Sequence, residues 1–277
     1  MSAVFAIANL TLREAVRRRF VYAGVLVSAL LMLLAVIPFH PHRADFFTED
    51  EIKTLTGQMI ETFGAHIAEF FAFLFAVALS AGTISNEIER GVLAVILPKP
   101  ISRFSVYIGK WLGINLFVLL FLFVWVCLLQ LSAYLHVQHT MPNLWRAYFI
   151  MALYPLVFSS LTFFFSSFTS SLMSIVTPLI VVSVAWTEDM LKMFGYMFNV
   201  NTLKIAARVV VYVAPLNPMS RWLEKALDPQ LWLSLQRMRG SFGPKDPPAN
   251  WIDLGWILGY GLVVLIAGAV IFQKRDI

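Results

Sequence analysis

The sequence predicts an all-α integral membrane protein, and three observations carry that reading. Of 277 residues, 59% are hydrophobic and 13% charged, where a soluble globular chain carries nearer a quarter charged residues. Apolar runs recur at about the length needed to cross a bilayer. The basic residues gather at the ends of those runs, the pattern that orients a chain in a membrane. The net charge of +5 is therefore explained by the bilayer, and nucleic acid is not an expected partner. The single cysteine, Cys127, lies in an apolar run, so no intrachain disulfide is possible. No internal repeat is visible, and residues 1–277 read as one transmembrane domain of six spans.

In residues 1–19, Val4, Phe5, Ala8, Leu12, Ala15 and Val16 recur at helical spacing, while Arg13, Glu14 and Arg17 to Arg19 supply charge. This predicts an amphipathic helix lying in the interface and turning, as an elbow, into the first span. The alternative is a plain orientation signal without a helix; both put the N-terminus in the cytosol. Span one is Val21–Phe39, longer than a signal-peptide core and followed by no small-x-small cleavage site, so it is expected to be retained. Asp45, Glu49, Asp50, Glu51 and Glu61 then outnumber Arg43 and Lys53 in the loop that follows, which suits the outer side. Span two is expected at about 66–84 and span three at about 111–134. Span four is expected at about 148–165, span five at 172–186 and span six at 254–272.

Ser166, Ser167, Thr169, Ser170 and Ser171 form an uncharged turn between spans four and five. No base or orienting acid lies near them in sequence, so they read as a polar turn and not as nucleophiles. Residues 187–253 are mixed in composition and read as a large outer loop. Within it, Ile205–Ala214 is apolar but half a bilayer long and closes at Pro215 and Pro218, which predicts a re-entrant or interfacial segment. Met219–Met238 predicts amphipathic helices broken at Asp228-Pro229.

The stretch Gly82–Lys110 is charged and punctuated by proline between two apolar runs. Asn86 can cap a short helix with Glu89 three residues on, Val92 to Leu97 give it an apolar face, and Pro98 and Pro100 stop it. Ser102 can then cap the next helix. A span that emerges, a short helix across its end and a chain that dives back make a handle for another protein to grip.

Glu87, Gly91, Leu93, Ile96-Leu97, Pro100, Ser102-Arg103 and Gly109-Lys110 together resemble the first cytosolic loop of the membrane subunits of type-2 ATP-binding-cassette exporters. The usual Gly-Thr-Leu of that loop reads Gly91-Val92-Leu93 here. The resemblance implies that residues 85–101 are a cytosolic coupling helix seated in a groove of an ATPase subunit. Glu87, Glu89, Arg90, Gly91, Lys99 and Arg103 are then the candidate contacts, with charge setting register and the apolar face supplying burial. It further implies a homodimer, or a dimer with a similar chain, joined by two ATPase subunits in the cell inner membrane, with both termini cytosolic. ATP and Mg2+ would be bound by the ATPase and none by this chain. In keeping with that, the sequence has no Gly-x-x-x-x-Gly-Lys-Ser/Thr, and Gly109-Lys110 opens a span instead of following a strand.

The histidines suggest a separate chemistry. His40, His42, His136 and His139 all fall at the predicted outer face. Imidazoles at these spacings suit copper or zinc, with Asp45 or Glu61 available to complete a site. The alternative is that histidine, being amphipathic, simply sits at interfaces. Other classes also stay open: a complex that acts mechanically on an outer partner through residues 187–253, or a channel or secondary transporter. An intramembrane enzyme would need a paired nucleophile and base or an H-E-x-x-H, and neither is present.

Overall fold

The computed structural model describes residues 3–36, 49–85, 102–137, 143–227 and 250–274. Among these residues the chain is helical, with no strand. Helix α1 (Ala3–Arg17) lies where the amphipathic helix is expected, but it buries a narrower face. Ala8, Thr11 and Ala15 turn inward while Phe5, Leu10 and Val16 stay exposed. The helix numbered α4 below (Arg103–Val137) supplies the reason. A Cβ on its Gly113 would fall 2.5 Å from the Ala8 carbonyl oxygen, and one on Gly109 would fall 2.9 Å from the Val4 carbonyl oxygen. The two helices meet almost backbone to backbone. Such small-residue contacts are favoured in a bilayer, where large apolar side chains gain little by leaving lipid for protein.

A single residue, Arg18, separates α1 from α2 (Arg19–Val36). Helix α3 (Glu49–Ser80) follows and ends where Gly82 adopts φ 67°, a left-handed conformation that glycine takes without strain. A Cβ on Gly64 of α3 would fall 2.2 Å from Leu129 of α4, and the Trp125 indole donates to the Gly64 carbonyl at 3.0 Å. Phe71, Phe75, Val118, Leu122 and Leu129 form the core between α3 and α4.

The predicted fourth span is two helices, α5 (Asn143–Met151) and α6 (Leu153–Ser166). Pro155 accounts for the break: it has no N–H for the Met151 carbonyl, and its ring crowds that turn. Helix α7 (Ser171–Met197) runs well past the expected end of span five at Trp186. The fall in hydropathy after Trp186 reflects charge and not a helix break, because Glu188 and Lys192 pair one turn apart and keep the helix going. Asn199, at φ 53°, ends it, with the Val200 N–H bonded to the Gly195 carbonyl at 2.9 Å. Helix α8 (Asn201–Val213) then folds back along α7, and α9 (Leu216–Leu227) packs on α5, α7 and α10 (Trp251–Lys274). Tyr154, Val157, Phe158, Val182, Met219 and Ile257 fill the core there.

Among the described residues, five stretches are long and apolar enough to cross a membrane: Ile60–Ser80, Arg103–Leu135, Asn143–Ser166, Ser171–Met197 and Trp251–Lys274. Helix α2, in the place of predicted span one, contributes a shorter apolar stretch, Arg19–Leu33. Leu26, Leu33, Val124, Leu262 and Val263 point outward, as they must where the solvent is hydrocarbon.

The glycine contacts give a direct test. Gly→Ala inside a helix ordinarily stabilises by up to about 1 kcal/mol. Gly113→Ala is expected to do the reverse, by about 1–3 kcal/mol, because backbone must shift to admit the methyl. Gly259→Ala, with nothing within 4 Å of the new carbon, should hold or raise the unfolding midpoint. Thermal unfolding of the full chain in detergent would separate the two.

Candidate functional site

Of the residues expected to contact an ATPase, Glu87, Glu89, Arg90, Gly91 and Lys99 lie outside the described residues. Arg103 and both attachment points of the loop lie within them. The site that can be built is the junction from which residues 86–101 spring.

On the incoming side, the Ser85 N–H donates to Ser166 Oγ at 3.1 Å, which fastens the end of α3 to the end of α6. On the outgoing side, Ser102 caps α4 as expected: its Oγ accepts the Ser105 N–H at 3.1 Å. Arg103 donates from Nη1 to the Gln273 carbonyl at 3.4 Å, at the C-terminal end of α10. A guanidinium is well placed against the exposed carbonyls of a helix end.

Between the two attachment points lies Lys110, only 8% exposed, with Nζ donating to the Thr83 carbonyl at 3.2 Å. Thr83 itself bonds back through Oγ1 to the Leu79 carbonyl at 2.6 Å. The start of α4 and the end of α3 are therefore joined directly beneath the loop. The next residue, Trp111, donates from Nε1 to Ser160 Oγ at 3.1 Å. Asn115 Nδ2 donates to Ser159 Oγ at 2.9 Å, and both serines are buried on α6. Tyr107 packs edge-on against Phe163 of α6 and lies beside Phe272 of α10. A Cβ on Gly268 of α10 would meet the Tyr107 hydroxyl at 2.2 Å.

The first four turns of α4 thus present different residues to four neighbours. Gly109 and Gly113 meet α1, Lys110 meets the end of α3, Trp111 and Asn115 meet α6, and Arg103 and Tyr107 meet α10.

The hydroxyl-rich turn behaves as a polar turn. Ser167 Oγ donates to the Phe163 carbonyl at 2.9 Å and Thr169 Oγ1 to the Phe165 carbonyl at 2.7 Å, returning bonds to the helix end. Of the candidate metal-binding histidines, His136 sits in the last turn of α4, while His40, His42 and His139 lie outside the described residues. Among the described residues no three His, Cys, Asp or Glu side chains are grouped to hold a metal. The buried role of Lys110 is not signalled by the sequence, where it reads only as an inside charge. Asn115, Ser159 and Ser160 do stand out there, as polar points inside apolar runs.

These features define the class: a multi-pass α-helical membrane protein whose spans converge beneath one loop. The description "ABC-2 family transporter protein" matches residues 5–277. The chain belongs to that family and is a permease subunit of type-2 ATP-binding-cassette systems. A segment of 82 residues, 29% of this chain, is 29% identical to "Uncharacterized protein YhcI" of Bacillus subtilis (strain 168). The match spans about a quarter of that relative, 26% of its length.

Replacing Lys110 tests the junction. Lys110→Met keeps the aliphatic bulk but strands the buried Thr83 carbonyl, and is expected to cost about 1–3 kcal/mol. Arg103→Ala, at the exposed rim, should cost less than about 1 kcal/mol. Chemical or thermal unfolding of the two variants in one detergent would give the order.

Proposed function

We propose that this chain is the transmembrane subunit of an export complex, and that it passes the closure of a separate ATPase pair into its own spans. The observation that carries the reading is the Lys110–Thr83 tie beneath residues 86–101. Family membership supports seeking an ATPase partner, and the tie supports the loop above it as the point where its force would enter. Residues 85–101 are the coupling helix, with Glu87, Glu89, Arg90, Gly91, Lys99 and Arg103 at the contact. Helix α2 counts as the first of six spans, so that both termini and the coupling helix share the cytosolic side of the inner membrane. The unit is a dimer of this chain, or of this chain with a similar one, carrying two ATPase subunits that hold ATP and Mg2+.

Chemistry then belongs to the partner and motion to this chain. ATP-driven closure draws the two coupling helices together. Each pulls on α4, and α4 carries α1, α3, α6 and α10 with it, rocking the paired membrane subunits about their shared path. The route taken by a substrate lies between the subunits.

The test is purification of the tagged full chain in mild detergent, with its partners. The wild type is expected to bring an ATPase subunit with it, and Glu87→Ala combined with Arg90→Ala to lose that subunit. Lys110→Met should retain it, because its defect lies behind the contact, while ATP turnover by the complex falls. Recovery of the wild-type chain alone, folded and without ATPase activity, would overturn the reading.

A further inference from the structure

Helices α2 and α4 both pack on α3 but leave between them a cavity of about 390 Å3. Phe75 of α3 sets the gap. A Cβ on Gly24 of α2 would fall 2.6 Å from its ring, and Phe121 of α4 packs edge-on against it with 5.0 Å between centroids. Val25, Ala29 and Met32 of α2 line one wall, and Phe121, Trp125 and Leu128 of α4 line the other. Polar groups are scarce there. The Trp125 indole N–H is already given to the Gly64 carbonyl, and Ser132 brings the one hydroxyl in the lining. The α4 wall belongs to the stretch Arg103–Leu135, apolar and long enough to cross a membrane, so the cavity suits hydrocarbon and not water.

Its shape narrows the occupant. From Phe121 to Leu135 the α4 wall runs about 21 Å. Spread over that length, 390 Å3 makes a slot of roughly 20 Å2 in section. A helix, about 10 Å across with its side chains, is too wide to enter, whereas one extended hydrocarbon chain fits. The slot therefore suits a lipid tail and not a span of a second copy.

The approach to the slot is basic. Its α2 wall, through Val25, Ala29 and Met32, continues backward at the same spacing to Tyr22 and Arg18. Val25 lies about 9 Å beyond Arg19 along the helix, within the roughly 15 Å of hydrocarbon that makes one leaflet. Arg17, Arg18 and Arg19 follow one another at the joint, where chain reach alone keeps the first and last Cα within about 7 Å. Among the described residues none of these guanidiniums has an ion pair or a side-chain hydrogen bond. Glu14 is the single carboxylate in α1 and α2, and α4 has none. Such a cluster attracts anionic headgroups, and the guanidinium fork matches phosphate oxygens. Tyr22, 60% exposed, adds a hydroxyl of the kind that sits at membrane interfaces. Val16 and Phe20 are also exposed beside the arginines; a soluble anion would leave them wet, and a lipid covers them.

We propose that the joint and the slot together bind one anionic phospholipid. Arg18 and Arg19 hold its phosphate, the Tyr22 hydroxyl donates to it, and one acyl chain lies between α2 and α4. The site goes beyond the coupling role and is tested without the ATPase, so its failure leaves that reading intact.

The experiment is thermal unfolding of the full chain in mild detergent, titrated with dioleoyl phosphatidylglycerol, dioleoyl phosphatidylcholine, dihexanoyl phosphatidylglycerol and inorganic phosphate. The expected result is a saturable rise in midpoint with dioleoyl phosphatidylglycerol. Phosphatidylcholine, whose ammonium offsets its phosphate, the short-tailed lipid and free phosphate should each give far less. Arg18→Gln combined with Arg19→Gln should weaken the response about tenfold or more. Val124→Trp, at a position 56% exposed that borders the slot, should weaken it about as much by filling the space, and its exposure keeps folding out of the comparison. Arg146→Gln removes one charge from an exposed position on α5 and should respond like the wild type. An equal response to phosphatidylcholine, to the short-tailed lipid or to free phosphate would overturn the proposal. So would a wild-type response in the arginine pair or in Val124→Trp, or a loss in Arg146→Gln as large as theirs.

Discussion

A lysine held almost out of solvent at the meeting point of two membrane spans needs an acceptor, and this end of the bundle is arranged to provide one. Lys110 reaches the Thr83 carbonyl only because α3 stops at Ser80 and Gly82 turns the chain so that late carbonyls are free. The same residue lies on a helix whose neighbouring glycines accept α1 at backbone distance. Remove the tie and the ends of residues 86–101 are no longer held at a fixed separation.

The rest of the bundle is held by modest contacts, as expected where the surrounding lipid is as apolar as leucine. Two serines on α6, Ser159 and Ser160, bond both to their own helix and across to α4: Ser160 accepts from Trp111 while donating to the Leu156 carbonyl at 2.6 Å. Such groups are satisfied twice over and leave no bare donor in hydrocarbon. Packing between α4 and α6 is therefore specific without being rigid in the manner of a disulfide or a buried ion network.

Much of this was readable from the residues. Apolar length and the placement of Arg and Lys disclosed a multi-pass helical chain, and the motif around Gly109-Lys110 disclosed its family. The purpose of those two residues was not readable, since nothing in the pattern says that Gly109 faces α1 while its neighbour faces the end of α3. Which face of α1 is buried was also hidden, because lipid and protein both welcome Phe5 and Leu10. The extension of α7 to Met197 was masked by Glu188, Asp189 and Lys192, whose charge resembles a loop although their spacing supports a helix. The cavity lined by Glu69, Asp189 and Glu224 draws on three segments far apart in sequence, and only folding brings them together.

The single-residue joint at Arg18 has a mechanical consequence. Helix α2 runs for 18 residues, about 27 Å, and enters it from α1 with no slack. Since α1 is clamped to α4, a tilt of about 10° at the joint would sweep the far tip of α2 through roughly 5 Å by simple leverage on that length. The N-terminal segment is thus one arm of a lever whose other arm is the apolar helix α2. Its fulcrum is the pair of glycines on α4.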